Sequence, residues 1–302
     1  MAPAVVVLAG GTGGAKLARG MLDVAGDGLT VIANTADDVE LYGAYVSPDP
    51  DLCTFWLADL IDERGWGLRD DSFKVMDGLR DLGVDVWFHL GDRDLAIGIE
   101  RARRLGEGAS LTDALRELGD ALDVGARVLP MCDEPVRTWV LARGRWTPFQ
   151  EFMIRERAEG PVDDMALRGI DATRPTPEVL AAIASADAIV VGPSNPVISI
   201  GPILAVPGMR EAIVDSSAPV VAVSPVVEGA IVKGPTEAFM RWAGYPLRTE
   251  AIASCYAGLI DGLVADERAD GVPLLQTTTL MNDAHDRRRV AEETLRFAEG
   301  LA

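Results

Sequence analysis

The chain is short of positive charge: 28 Lys and Arg face 47 Asp and Glu, a formal net charge of −19. So acidic a surface repels nucleic-acid backbones and anionic membranes, and nucleic-acid binding is set aside on that ground. Any anionic substrate must then be met by local cations or by a metal ion. Histidine is nearly absent. His89 and His285 are the only two, too few to build a zinc site with the cysteines. Cysteine is also scarce. Cys53, Cys132 and Cys255 lie far apart and form no CxxC. Their odd number argues against a disulfide framework and for buried thiols in a reducing cytoplasm. No stretch reaches the roughly 18 apolar residues of a membrane helix. No cationic segment precedes the first apolar run, so no signal peptide is expected. The Gly-x-Ser-x-Gly elbow of α/β-hydrolases is missing as well.

What is present starts at the N-terminus. Ala4–Ala9 is a β-branched apolar run that leads straight into Gly10-Gly11-Thr12-Gly13-Gly14-Ala15-Lys16. The next residues, to Val24, read as a helix with Leu17, Met21 and Leu22 on one side. A glycine-rich turn between strand and helix lets the backbone approach a phosphate, with the free N–H groups of the helix start pointing at it. The turn is neither a P-loop nor a strict GxGxxG, because Lys16 stands where the third glycine would be. A tight turn that only packs closely is the alternative.

Further along, apolar strands alternate with amphipathic helices. Strands are expected at Val5–Ala9, Leu29–Ala33, Val84–Leu90, Arg127–Met131, Ala188–Gly192 and Val220–Ser224. Helices are expected at Asp51–Glu63, Ser72–Leu82, Ser110–Leu122, Thr176–Ala184, Gly208–Val214, Thr249–Leu259 and Ala284–Gly300. This order predicts an α/β fold, a doubly wound, mainly parallel Rossmann-like sheet. With 302 residues, 48% of them hydrophobic, the chain can fill one large domain spanning 1–302. The alternation breaks near Val136–Phe149, which resembles a hairpin, and residues 133–172 are read as an insertion or small subdomain.

In such a sheet ligands gather where strands end. Polar, turn-forming clusters follow several expected strands: Gly10–Lys16, Asn34–Asp38, Gly91–Asp94, Pro193–Pro196, and Ser224-Pro225 with Lys233 beyond. Asp37-Asp38 and Asp49-Pro50-Asp51 place carboxylates beside the glycine turn, a set suited to Mg²⁺, which takes oxygen ligands and bridges to substrate phosphates. Taken singly, Asp49 or Asp51 reads equally as a helix N-cap, and Asp37-Asp38 as a turn pair. Lys16 and Lys233 can meet an anion, or Lys16 is a solvated helix residue. His89 reads with even weight as a substrate contact or a packed strand end. Arg93 pairs with its acidic neighbours or faces an anionic group. Ser194 and Asn195, stiffened by Pro193 and Pro196, can hydrogen-bond a base or ribose.

Together these segments resemble one family, the 2-phospho-L-lactate transferases of coenzyme F-420 biosynthesis and the related phosphoenolpyruvate transferases. The likeness runs through Leu8–Lys16, Asn34–Asp38, Val46–Asp51, Gly65–Gly67, Trp87–Ala96, Ala126–Pro130 and, most specifically, Gly192–Gly208. The family commonly has Gly at position 36, Leu at 50 and often Arg at 16, where this chain has Ala36, Pro50 and Lys16. The resemblance implies a guanosine-diphospho donor carrying phospholactate or phosphoenolpyruvate. The acceptor would be the ribityl hydroxyl of the deazaflavin Fo, and GMP would be released. It further implies Mg²⁺ on Asp37, Asp38, Asp49 and Asp51. Catalysis would rest on Asp49 and Asp51, and Fo would be held by Asp49, His89 and Arg93. Gly10, Gly11, Thr12, Gly13, Gly14, Lys16, Pro193, Ser194, Asn195, Ser224 and Lys233 would hold the nucleotide and its phosphates. Trp56, Trp66 and Trp87 are candidates for the deazaflavin wall, or else core residues. A cytoplasmic homodimer is implied.

Two other classes stay open. Regulatory proteins related to this family bind nucleotide-sugars or dinucleotides without transferring anything; such a sensor would ignore Fo. A dinucleotide oxidoreductase is weaker, since Asn34 stands where a ribose-binding acid is expected.

Overall fold

The computed structural model describes residues 2–227, 229–231 and 236–302. Its centre is a seven-stranded sheet: β1 (Val5–Ala9), β2 (Leu29–Ala33), β3 (Arg127–Pro130), β4 (Ala188–Val191), β5 (Val220–Val223), β6 (Gly262–Ala265) and β7 (Leu274–Gln276). The spatial order is β7-β6-β5-β4-β1-β2-β3, and every pairing is parallel. Strands buried on both faces need apolar residues at every position, which is why Val5-Val6-Val7-Leu8-Ala9 does not alternate. Its odd and even members serve opposite layers. Val5, Val7 and Ala9 pack under helices α1 (Gly11–Ala25), α2 (Pro48–Leu57) and α4 (Ala284–Glu299), while Val6 and Leu8 face the other side.

The chain builds β1, β2 and β3 outward in one direction, then returns to lay β4 on the opposite side of β1. The loops leaving β1 and β4 therefore diverge and open a crevice at the strand ends, the place where doubly wound sheets bind ligands. Among the described residues no helix is long and apolar enough to cross a membrane.

Val84–Leu90 is not a strand. β2 pairs directly with β3, which leaves that segment no slot in the sheet. Its period-two apolar residues are satisfied otherwise: Val86, Phe88 and Leu90 pack on the Ala44–Val46 strand of a small hairpin, with Met76 and Leu95. The cluster after it, Gly91–Asp94, opens a helix not foreseen in the sequence, α3 (Asp92–Gly106). Helix α2 begins earlier and ends earlier than Asp51–Glu63. Pro48 and Pro50 fit a first helical turn, where no N–H is needed, and Asp59 has left-handed φ of 55° just past the end.

The break in the alternation is a three-stranded antiparallel sheet, Arg145–Pro148, Arg137–Ala142 and Asp164–Arg168. Its hairpin turns at Arg143-Gly144, with φ of 51° and 74°, the paired left-handed residues of a type I′ turn. Helix Phe149–Ile154 follows and carries this sheet back toward the crevice.

Candidate active site at the switch point of the sheet

Gly10 ends β1 in an extended conformation and Gly11, with φ of 61°, starts α1. Only glycine takes that φ without strain. The next two glycines serve a different end. A Cβ on Gly13 would lie 2.1 Å from the Pro193 carbonyl oxygen, and one on Gly14 would lie 2.6 Å from Ser194 Oγ. Bare backbone there lets α1 and the loop after β4 touch, and the Gly10 N–H donates to Ser194 Oγ at 3.3 Å. Part of the run is thus packing, as one reading of the sequence held. Gly10, Gly11, Thr12 and Gly13 border the crevice, and Gly14 lies behind them.

Across from the glycines, Asn195 caps a short π-helical turn, Pro196–Ile200. Its Oδ1 accepts from the N–H groups of Val197 and Ile198 at 2.9 and 3.2 Å. Its Nδ2 is buried and has no partner among the described residues. Pro193, Ser194, Asn195 and Ser224 all line the crevice, a cavity of about 1090 Å³, large enough for a nucleotide and a second substrate. Lys233 lies outside the described residues.

The acidic wall of this cavity comes from two elements. Asp37 follows β2, and Asp49 sits in the first turn of α2. Asp49 Oδ1 accepts from the Gly11 N–H at 2.7 Å, so the carboxylate already occupies one anion-binding position of the α1 start. Asp49 Oδ2 accepts from Asn34 Nδ2 at 3.0 Å, while the Ala36 N–H donates to Asn34 Oδ1 at 3.0 Å. Asn34 is thereby a fixed bracket between β2 and Asp49. The sequence placed Asn34 in the polar cluster after β2 and noted it as a missing ribose-binding acid, but gave it no role of its own. Burial pushes the Asp49 carboxyl up to about 6, against the pull of the Gly11 and Asn34 hydrogen bonds. Asp37 is held well above the usual carboxylate range, first by burial, then by the negative charges of Asp49 and Asp38. Gln150, from the inserted segment, donates to the Asp37 carbonyl at 3.0 Å.

Asp38 and Asp51 do not reach the cavity. Asp51, two residues past Asp49, is paired with buried Arg101 of α3, whose Nη1 also donates to the Tyr45 carbonyl at 3.0 Å. Asp38 accepts from Ser47 Oγ at 2.8 Å, and burial pushes it up to about 7. The four carboxylates read as metal ligands therefore divide into a front pair, Asp37 and Asp49, and a rear pair. Among the described residues, the one group of three ligating side chains within 4.8 Å of one another is instead Asp283, His285 and Asp286. There Asp283 caps α4 by accepting from the Asp286 N–H at 2.9 Å.

The remaining walls differ in character. Phe149, Met153 and Ile154 of the insertion line the cavity with Ile198, an apolar side. Lys16, Arg64 and Arg69 supply cations, Arg64 already paired with cavity-lining Asp62 at 2.6 Å, and Glu63, Trp56, Thr279 and Asn282 also line the cavity. Residues 277–282 were missed because β6 and β7 are short and were not read as strands. Of the other tryptophans, Trp66 lies under Arg64 and Trp87 under Arg155, both away from the cavity. His89 is exposed and stacks on Phe73 with ring centroids 4.3 Å apart. Arg93 is also exposed; its Nη1 donates to the carbonyl of cavity-lining Arg69 at 3.3 Å.

Residues 5–299 match the family described as 2-phospho-L-lactate transferase CofD. A phosphoenolpyruvate transferase of Streptomyces coelicolor is 40% identical over 98% of this chain and 98% of its own length. A 2-phospho-L-lactate transferase of Methanosarcina mazei is 36% identical over 95% of this chain and 98% of its own. Among solved structures, a member of the UPF0052 family from Bacillus halodurans shares the fold, with a TM-score of 0.63 at 20% identity over 98% of this chain and 99% of that one. The chain belongs to the 2-phospho-L-lactate transferase (CofD) family of transferases.

Proposed function

We propose that this transferase moves a 2-phospholactyl or phosphoenolpyruvyl unit from a guanosine-diphospho donor to the ribityl hydroxyl of the deazaflavin Fo and releases GMP. The observation that carries the reading is the convergence of the α1 start, the Asp37–Asp49 wall and the Ser194–Asn195 loop on one cavity that also has an apolar side. The first-turn N–H groups of Thr12 and Gly13 have no acceptor within their helix and suit a diphosphate. The unpartnered Asn195 Nδ2 suits the guanosine half. The side lined by Phe149 and Met153 suits a flat ring.

The reaction is a substitution at phosphorus. The Fo oxygen bonds to the phosphorus that carries the three-carbon acid, and the bond from that phosphorus to the bridging oxygen of GMP breaks. The hydroxyl proton goes to Asp49, whose carboxyl, raised to about 6, is ionised at neutral pH and basic enough to accept it. Gly11 and Asn34 fix the orientation of that carboxylate. Asp37 and Asp49 are buried oxygen donors, both raised by burial and Asp37 also by its carboxylate neighbours, and so fit Mg²⁺. When bound, such an ion would offset the negative charge that builds on the phosphoryl oxygens. Closing the site from water, lining it with donors and aligning the hydroxyl is what phosphoryl transfer chiefly asks of a protein.

The test mixes protein, Fo, Mg²⁺ and each candidate donor. Stoichiometric GMP and a product of Fo mass plus the phospho-acid support the reading. Nucleotide binding with no consumption of Fo would sink it and favour the sensor alternative.

A further inference from the structure

Besides Asn195 Nδ2, two buried donors in this cavity have no acceptor among the described residues: Trp56 Nε1 and Thr279 Oγ1. Their residues are 9% and 4% exposed, and both line the cavity. They belong to its cationic end. Lys16 Nζ donates to the Met281 carbonyl at 3.0 Å, two residues along the chain from Thr279, and stands 5.9 Å from the centre of the Trp56 ring. The Arg287 guanidinium lies 5.0 Å from the same ring. Indole N–H, ammonium and guanidinium can only donate. The N1–H and N2–H groups of guanine find nothing to accept them among those three groups, whereas a carboxylate finds both charge and hydrogen bonds; the guanine O6–N7 edge would also be held there, and the GDP-affinity measurement below separates the two.

We propose that Trp56 Nε1 and Thr279 Oγ1, beside the Lys16 ammonium, form the subsite for the carboxylate of the transferred three-carbon acid. The inference rests on the transferase reading above. Placement supports it. α1 and α2 both start at the reaction end of the cavity, at Gly11 and Asp49, which are joined by a 2.7 Å hydrogen bond. Lys16 and Trp56 lie about 8 and 10 Å further along the two helices at 1.5 Å per residue. Helical side chains lean toward the N-terminus, which brings these polar ends back toward the glycine turn. A 2-phospho acid needs that arrangement, since its carboxylate is attached to the carbon that bears the phosphate. The Asp37–Asp49 wall repels a carboxylate and so turns it, close to the reacting phosphorus, toward the side on which Lys16 and Trp56 stand.

The experiment compares Trp56→Phe and Thr279→Val with wild type on two donors: the guanosine-diphospho acid, and the ethyl ester of guanosine diphosphate, which has the same leaving group and no carboxylate. Wild type should prefer the acid donor by tenfold or more in kcat/KM. Each variant should lose about tenfold on the acid donor and less than twofold on the ethyl donor, with GDP affinity unchanged by calorimetry. Equal losses on both donors, no loss on the acid donor, or weakened GDP binding would overturn the assignment. A second arm titrates phosphoenolpyruvate into the GMP complex. If wild type is inactive on both donors yet binds phosphoenolpyruvate in a way that either variant abolishes, the transferase reading fails alone. If wild type is active without preferring the acid donor, the subsite fails alone.

Discussion

Asp49 and Asp51 sit in the same turn of the same helix and are almost equally buried, at 6% and 4% exposure. Their surroundings differ. Asp49 is held only by neutral donors, an amide N–H and a carboxamide, and borders the cavity. Asp51 is closed against a guanidinium and borders nothing open. Asp37 likewise borders the cavity, while Asp38 and Asp94 lie behind it without a guanidinium closed against them, among the described residues, as Asp51 has. Burial pushes Asp94 up to about 7 as well, with the charge of Asp51 adding to it. Sequence spacing makes these carboxylates equivalent, and their partners make them different. A carboxylate whose charge is not cancelled by a neighbour is available for a proton or a cation, whereas one locked to Arg101 is available for neither.

The largest expected effect falls on the front wall. Asp49→Asn keeps the shape and one acceptor but removes the proton acceptor. Turnover should fall by about 10³-fold, within the usual range for losing a general base, while the thermal midpoint changes little. In the wild type, kcat/KM should rise with pH as Asp49 ionises, with a midpoint below the metal-free value of about 6 once a cation lies beside it, and the Asn variant should lose that limb. Near-normal turnover in the variant would erase the distinction between front and rear.

Removing the cation of the rear layer should do the reverse. Arg101→Met leaves Asp51 buried and unpaired, at a cost of about 3–5 kcal/mol measured by urea unfolding. Replacing both partners, as Arg101→Met with Asp51→Leu, should recover most of that stability, because the desolvation cost of two ions goes with them. The double variant should keep wild-type turnover within about tenfold, since Asp49 retains Gly11 and Asn34. A collapse of turnover in a stable double variant would show that the rear layer takes part in the chemistry.

These contrasts also mark how far the sequence was legible. The strands β1, β2, β4 and β5 are runs of Val, Ile, Leu and Ala with turn residues behind them, and local pattern is enough to find them. β6, Gly-Leu-Val-Ala, opens on a glycine and has no β-branched run, and β7, Leu-Leu-Gln, is three residues long, so nothing local separates them from loops. The extended Val84–Leu90 has the alternation of a strand and packs as one, but no neighbouring strand offers it hydrogen bonds. The glycines, Asp49, Ser194 and Asn195 could be placed at one rim because strand ends meet there whatever the details. The Asp51–Arg101 pair could not, because it joins residues 50 positions apart through a helix that was not anticipated. The same holds for Trp56 and Thr279, which only the path of β6 and β7 brings to one cavity.

A smaller effect should appear in the pH dependence of stability. Burial raises Asp38 from 3.8 to about 7, so the folded chain holds that proton more tightly than the unfolded one. Its stabilising effect is complete below the unfolded value and is lost as pH rises through about 7. Asp38→Asn, neutral throughout and still able to accept from Ser47, should therefore gain on wild type with rising pH. The gain between pH 5 and pH 8 should be about 2 kcal/mol by urea unfolding. A difference that is flat with pH would mean that Arg101 and Arg137 keep Asp38 ionised and that the rear layer is charge-balanced.

The smallest expected effect concerns the cavity mouth, and it separates two residues that the sequence treated alike. Arg93 starts α3, the helix that carries Arg101, and its guanidinium holds the Arg69 carbonyl at the edge of the cavity. His89 instead stacks on Phe73 outside it. On the reading that Fo is held beside Arg69, Arg93→Ala should raise the KM for Fo by several-fold and leave kcat and the affinity for GDP unchanged. His89→Ala should change both constants by less than twofold. If His89→Ala matched or exceeded Arg93→Ala, the segment Val84–Leu90 would have to fold over the cavity when Fo binds. The front wall would then gain a member that the unliganded arrangement holds apart.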